Sequence, residues 1–175
     1  QKFHHLKDDA FLLAVSGGLD SMALAEIFIH WREHFVVNFS LAHIHHGPSE
    51  REEIQDYRFN TWNFVRNYCD KNRIPFLSNY QGEEESVFFS AFKSPLLSEE
   101  DFRHFRLKHW QMWQKERPYQ WLVTAHHQDD LLETRLIRLI RGVGPKGLEA
   151  MTEEGEGVLH PLLSFSRREL KLYLK

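Results

Sequence analysis

The chain has 175 residues, 42% hydrophobic and 14% aromatic, with a formal net charge of −3. That length suits one domain able to bury about two-thirds of its unfolded surface, and the composition argues for a packed core over disorder. No run of about eighteen apolar residues is present, which excludes a membrane-spanning helix. Gln1 to Asp9 is too polar for a signal peptide, and the single cysteine, Cys69, excludes an internal disulfide framework and fits a reducing, cytoplasmic setting. A chain of net negative charge meets nucleic acid only through local basic patches.

Phe11 to Val15 is a short apolar run, the pattern of a strand buried on both faces. From Asp20 the period changes, and Leu24, Ile27, Phe28 and Trp31 recur at helical spacing. Val36 to Ala42 predicts a second strand. Ile54, Tyr57, Thr61, Phe64, Val65 and Tyr68 then form a helical stripe, with Ser49 and Glu52 resembling a capping box at its start and Cys69 on its buried side. Ile74 to Leu77 predicts a third strand. Ser78 to Ser98, with three successive glutamates and Pro95, reads as an irregular insertion. Its Phe88, Phe89 and Phe92 could stack on bases, but a loop packing on its own aromatic cluster is the simpler expectation.

Ser98 caps a helix predicted to reach about Glu116, before Pro118. Trp121 to Ala125 is a fourth strand. Asp129 to Arg141 is a helix with Leu132, Leu136, Leu139 and Ile140 as its buried stripe, ended by Gly142 and the turn Gly144-Pro145. Val158 to Leu163 is a fifth extended piece, and Ser166 opens a last helix. Alternating strands and helices predict an α/β fold: a doubly wound, mainly parallel, five-stranded sheet with helices on both faces, all in one domain.

In such a sheet ligands sit beyond the carboxyl ends of the strands, where Ser16-Gly17-Gly18-Leu19-Asp20-Ser21 joins the first strand to the first helix. Two glycines let backbone approach a phosphate, and the N–H groups at a helix start stabilise its oxygens. Asp20 would repel phosphate alone, so its expected role is to hold Mg²⁺. The plain alternative is a glycine turn with Asp20 capping the helix. No lysine follows the glycines, which argues against γ-phosphoryl transfer.

Thr124-Ala125-His126-His127-Gln128-Asp129-Asp130-Leu131-Leu132-Glu133-Thr134 opens a helix at the same sheet edge. Asp130 and Glu133, three apart, share one side of that helix. With His126 they form a candidate catalytic trio, His126 to move a proton and the carboxylates to hold an amino group. Asp129 is accounted for as an acid at a helix start. Arg135, Arg138 and Arg141 form a basic row that is either a solvated face or an RNA phosphate contact. His43, His45 and His46 lie on an extended run without a cysteine pair, so a structural zinc site is not expected.

The loop resembles the SGGxDS motif of the PP-loop family, whose members split ATP between the α- and β-phosphates, the adenine nucleotide α-hydrolase type of Rossmann-like fold. Ala125 to Met151, including Arg141-Gly142-Val143-Gly144-Pro145-Lys146-Gly147-Leu148, is similar to the tRNA(Ile)-lysidine synthetases within that family, as are Ala42 to Gly47, Ser98 to Arg106 and His160-Pro161-Leu162-Leu163. The resemblance implies ATP and Mg²⁺ as cofactors. It also implies adenylation of the wobble cytidine of a tRNA(Ile) with a CAU anticodon, then attack by L-lysine to give lysidine, AMP and pyrophosphate. It makes Ser16, Gly17, Gly18, Leu19, Asp20 and Ser21 the ATP and Mg²⁺ loop. His126, Asp130 and Glu133 become the catalytic or substrate-holding groups, and Arg106, with Arg103 as its competitor, the arginine that meets the α-phosphate. Residues 1–175 would then be one catalytic domain, lacking the C-terminal tRNA-binding domains of larger members.

Gly47 to Asp56 departs from that pattern, and Glu83 to Phe92 matches none of its motifs. Other readings of the same fold are a tRNA thiolase, which Cys69 alone serves poorly, an ammonia-using ligase, and a non-catalytic nucleotide-binding RNA module.

Overall fold

The computed structural model describes residues 9–90, 92, 98–143 and 151–174. Pro95 and the segment Gly144 to Leu148 lie outside the described residues.

Strands β1 (Ala10–Ala14), β2 (Asn38–His43), β3 (Phe76–Ser78), β4 (Trp121–Val123), β5 (Glu154–Gly155) and β6 (Val158–Leu159) form one sheet in the order β3-β2-β1-β4-β6-β5. All pairings are parallel except β5 with β6. The expected five strands are therefore six. The extra one is the two-residue β5, which pairs back on β6 through a turn carrying Gly157 at φ 77° and is too short to leave a periodic signal. The order reverses beside β1, which lies between β2 and β4, so the switch point falls at the carboxyl ends of β1 and β4.

The helices are α1 (Leu19–His34), α2 (Glu52–Asn72), α3 (Glu85–Ser90), α4 (Glu99–Glu116), α5 (Gln128–Ile140) and α6 (Arg167–Tyr173). Phe11, Leu12 and Leu13 of β1 are fully buried, as a central strand covered on both faces requires. On one face Phe11 packs against Phe28 and Trp31 of α1, with ring centroids 5.4 and 5.8 Å away. On the other, Leu12 joins Ala42, Leu122 and Trp113 of α4.

Four local expectations change. The Ser49–Glu52 box does not form: α2 starts after Arg51 without a side-chain cap, and Ser49 Oγ instead accepts the Arg51 N–H at 3.2 Å. The inward row of α2 is Trp62, Val65 and Cys69, whereas Tyr57 and Phe64 face outward. The expected insertion contains α3, whose Phe88 is buried with Trp62 and Tyr80 and whose other rings pack around it, so the aromatic-cluster expectation holds.

The fourth change concerns α5, none of whose residues is buried: Leu132, Leu136, Leu139 and Ile140 are 50–85% exposed. Its half-buried row is Leu131, Thr134 and Arg138, so the inward direction is turned by about one residue. Arg138 thereby leaves the exposed row of Arg135 and Arg141. Ser98 and Ser166 cap α4 and α6 through reciprocal boxes with Asp101 and Glu169, as their sequence predicts. No helix among the described residues is long and apolar enough to cross a membrane.

Candidate active site

The end of β1 is pinned before the glycine loop begins. Val15 N–H donates to Ala42 O at 2.8 Å, and the buried His43 ring donates from Nδ1 to Val15 O at 2.8 Å. His43 is thus a staple between two strand ends. The loop then turns on Gly17 at φ 82°, where a Cβ would stand 2.5 Å from Thr61 Cγ2 of α2. Only glycine fits there, for conformation and for space. Ser21 Oγ donates to Gly18 O at 2.8 Å and accepts the Ser16 N–H at 3.2 Å, while Ser16 Oγ accepts the Gly18 N–H at 3.3 Å. These bonds hold the loop as a closed ring of short contacts.

Gly18 caps α1 with no side chain, and both Ser16 and Gly18 are exposed. The first N–H groups of α1 therefore keep their full anion-binding capacity at an open surface. Asp20 does not cap that helix. Its Oδ1 is buried without a hydrogen-bond partner, and its Oδ2 lies 3.7 Å from His127 Nε2. A carboxylate oxygen that no hydrogen bond satisfies, with only the charge of Arg167 Nε 3.4 Å away, beside an open glycine loop fits a hard divalent cation with oxygen ligands.

Across the switch point, His127 caps α5: its Nδ1 accepts the Asp130 N–H at 3.4 Å, and Asp130 Oδ2 accepts the His127 N–H at 2.9 Å. With Nδ1 an acceptor, Nε2 carries a proton and lies 3.7 Å from Asp20 Oδ2. Sequence reasoning passed over His127 in favour of its neighbour, because a buried histidine cap carries no motif of its own. Asp130 is correspondingly a capping group. Glu133 lies exposed on α5 with no hydrogen bond or ion pair among the described residues. Asp129 does more than sit in a helix start, since its Oδ2 accepts the Arg167 N–H at 3.1 Å and ties α6 to α5.

His126 meets a partner that the sequence did not single out. Thr124 Oγ1 lies 2.7 Å from His126 Nδ1 and 2.6 Å from His160 Nδ1. A hydroxyl has one proton, so it donates to one ring and accepts from the other. One imidazole then presents a bare Nε2 and the other an Nε2–H. Burial lowers the pKa of both rings, that of His160 to about 4 with help from His126. In His126 the charge of Asp130 opposes the fall, while His127 and Arg106 add to it. Both rings are neutral at pH 7, one a base and one a donor. The signal that could have found His160 is its place after β6, at the same sheet edge as Thr124.

Arg106 of α4 pairs with Glu99 at 3.4 Å. Its charge is a minor contribution to the lowered pKa values of His126 and His46, behind burial. Arg103 is exposed one turn earlier on α4. His45 packs among Phe59, Tyr80 and Phe88, a core residue in position. An apolar cavity of about 780 Å³ lies between α1 and α6, but no residue of Ser16 to Ser21 lines it.

The PP-loop domain family matches residues 1–175. The chain belongs to the PP-loop family. It is 37% identical over 175 residues to the tRNA(Ile)-lysidine synthase of Bdellovibrio bacteriovorus, covering 99% of this chain and 50% of that protein. It is 34% identical over 168 residues to the enzyme of the same name from Petrotoga mobilis, covering 96% and 51%. The chain thus spans about half the length of these curated relatives. Among solved structures, the U34-tRNA thiolase of Methanococcus maripaludis superposes with a TM-score of 0.70 over 95% of this chain and 55% of its own, at 15% identity. The NH3-dependent NAD synthetase of Campylobacter jejuni gives 0.52 over 97% and 65%, at 13% identity. These two likenesses establish the PP-loop fold and no more. The doubly wound sheet and its glycine loop are those expected.

Proposed function

We propose that this PP-loop domain uses ATP to activate the wobble cytidine of a tRNA(Ile) with a CAU anticodon and joins L-lysine to it. The observation that carries the reading is one sheet edge. An open glycine loop, with an aspartate oxygen that no hydrogen bond satisfies, shares that edge with a neutral His126–Thr124–His160 relay, in a chain 37% identical to a protein named for this product.

In the first step the cytidine O2 attacks the α-phosphorus of ATP and pyrophosphate leaves. Ser16, Gly17, Gly18, Leu19 and Ser21 cradle the phosphates through backbone N–H groups and the Ser16 hydroxyl. Asp20 would tether Mg²⁺, which supplies charge neutralisation to the phosphates when bound. Arg106 holds charge on the α-phosphate, since a guanidinium grips two oxygens at once. In the second step the ε-amine of lysine attacks C2, AMP leaves, and the amine proton passes to the bare imidazole nitrogen of the His126–His160 pair. Glu133, with Asp130, would hold the lysine ammonium. The whole protein would add C-terminal domains that grip tRNA to this single catalytic domain, and would work in the cytoplasm.

A thiolase reading finds less support. Burial, with Asp70 nearby, pushes the Cys69 thiol up to about 12, and the side chain is enclosed in the core. The deciding assay mixes ATP, labelled lysine and tRNA, omitting each in turn. Lysine label on tRNA(Ile) that depends on ATP supports the proposal. AMP release without lysine transfer would refute it in favour of another adenylating enzyme.

A further inference from the structure

The glycine loop carries no cation: from Ser16 to Ser21 its residues are serine, glycine, leucine and aspartate. A polyphosphate at the head of α1 would meet N–H dipoles there but no fixed positive charge. The fold supplies one from the far end of the chain. Arg167, the first residue of α6, places Nε 3.4 Å from Asp20 Oδ1. The contact is one of charge and not an aligned hydrogen bond, because Oδ1 has no hydrogen-bond partner.

The backbone of Arg167 is fixed on two sides. Its N–H donates to Asp129, and the preceding Phe165 O accepts the Gln128 N–H at 2.9 Å. The side chain is 57% exposed, and among the described residues its terminal Nη groups have no polar partner. An exposed ion pair of this kind contributes little stability, so folding alone gives weak reason for placing a guanidinium there.

We propose that Arg167 is a polyphosphate-binding residue: its Nε side rests on Asp20 while its two Nη groups take oxygens of the outer phosphates. Arg106 of α4 is the arginine proposed above for the α-phosphate. The two arginines thus divide the nucleotide between the part that stays on the substrate and the part that leaves. The inference rests on Ser16 to Ser21 being an ATP loop.

Calorimetric titration of the wild type, Arg167→Ala and Arg167→Lys with Mg·ATP, Mg·pyrophosphate and AMP tests it. Arg167→Ala should bind ATP and pyrophosphate about tenfold more weakly or worse, the scale of losing one charge-assisted contact, and AMP unchanged. Arg167→Lys, which keeps the charge but not the fork, should fall between. Equal losses for ATP and AMP would mean that Arg167 only anchors α6, and unchanged ATP affinity would mean that it is a surface ion pair; either overturns the assignment. A wild type that binds no Mg·ATP overturns the loop reading itself.

Discussion

His127 Nε2 lies 3.7 Å from the Asp20 carboxylate while the same ring, through Nδ1, accepts a first-turn backbone N–H of α5, that of Asp130. One buried imidazole therefore couples the starts of two helices and orients the acid between them. Asp20 is left with a buried oxygen that nothing in the protein satisfies by hydrogen bonding. Asp20→Asn keeps the shape and removes the charge. It should remove Mg·ATP-dependent turnover while the circular dichroism spectrum and melting temperature stay near wild type. Turnover at wild-type rate would refute the metal assignment.

His127→Ala removes both the α5 cap and the group facing Asp20. Loss of a cap costs about 0.5–2 kcal/mol. Urea unfolding should report a drop in that range, with weaker ATP binding because Asp20 loses its orientation. His127→Asn, a good cap, should recover the stability but not the ATP affinity.

Gly17→Ala forces a side chain into φ 82° and against Thr61. The backbone strain is worth about 1–3 kcal/mol. Replacing Thr61 by Ser as well removes the methyl group in the way and should restore part of the lost melting temperature, but not all, because the dihedral remains.

Thr124→Val keeps volume and deletes the hydroxyl between His126 and His160. Overall stability should change little relative to the loss of lysine transfer, which falls if the two tautomers are no longer locked in opposition. Single-turnover kinetics should place the loss after adenylation. A slowed adenylation step with normal transfer would contradict the relay.

Acid should unfold the protein through its histidines. Burial, aided by nearby positive groups, holds His45 at about 3 and His46 and His160 at about 4, against 6.5 for a free imidazole. Folded rings are neutral where unfolded ones take a proton, so unfolding takes up protons and acid favours it. Stability should be level above about pH 6.5 and fall steadily as pH drops toward 4. Denaturant midpoints across that window check this, and His160→Asn should lessen the slope.

The local patterns were legible where one residue's neighbours in the chain decide the outcome. Phe11 to Val15 can only be a central strand, two glycines before a helical period can only be a tight loop, and Ser98 and Ser166 announce their caps. Patterns that depend on what lies opposite misled. The stripe Leu132, Leu136, Leu139 and Ile140 has the spacing of a buried face, yet α5 turns Leu131, Thr134 and Arg138 inward because its start is clamped by His127 and Asp129. In the candidate site, Ser16 to Ser21, Asp20, His126 and Asp130 could be named from order along the chain. His127 was hidden by its more polar neighbours, and His160, Thr124 and Arg167 by distance.

Sequence alone determined the fold class and the glycine turn, because each rests on short-range sterics: the φ of glycine, the period of apolar residues, the free N–H groups of a helix start; the family came from the resemblance of its motifs. Tertiary structure decided which groups face that loop. The parallel order β2-β1-β4-β6 brings the ends of β1, β4 and β6 to one edge, and with them Asp20, His126, His160 and Arg167. Charge and proton placement there follow from proximity across the sheet, which no spacing along the chain encodes.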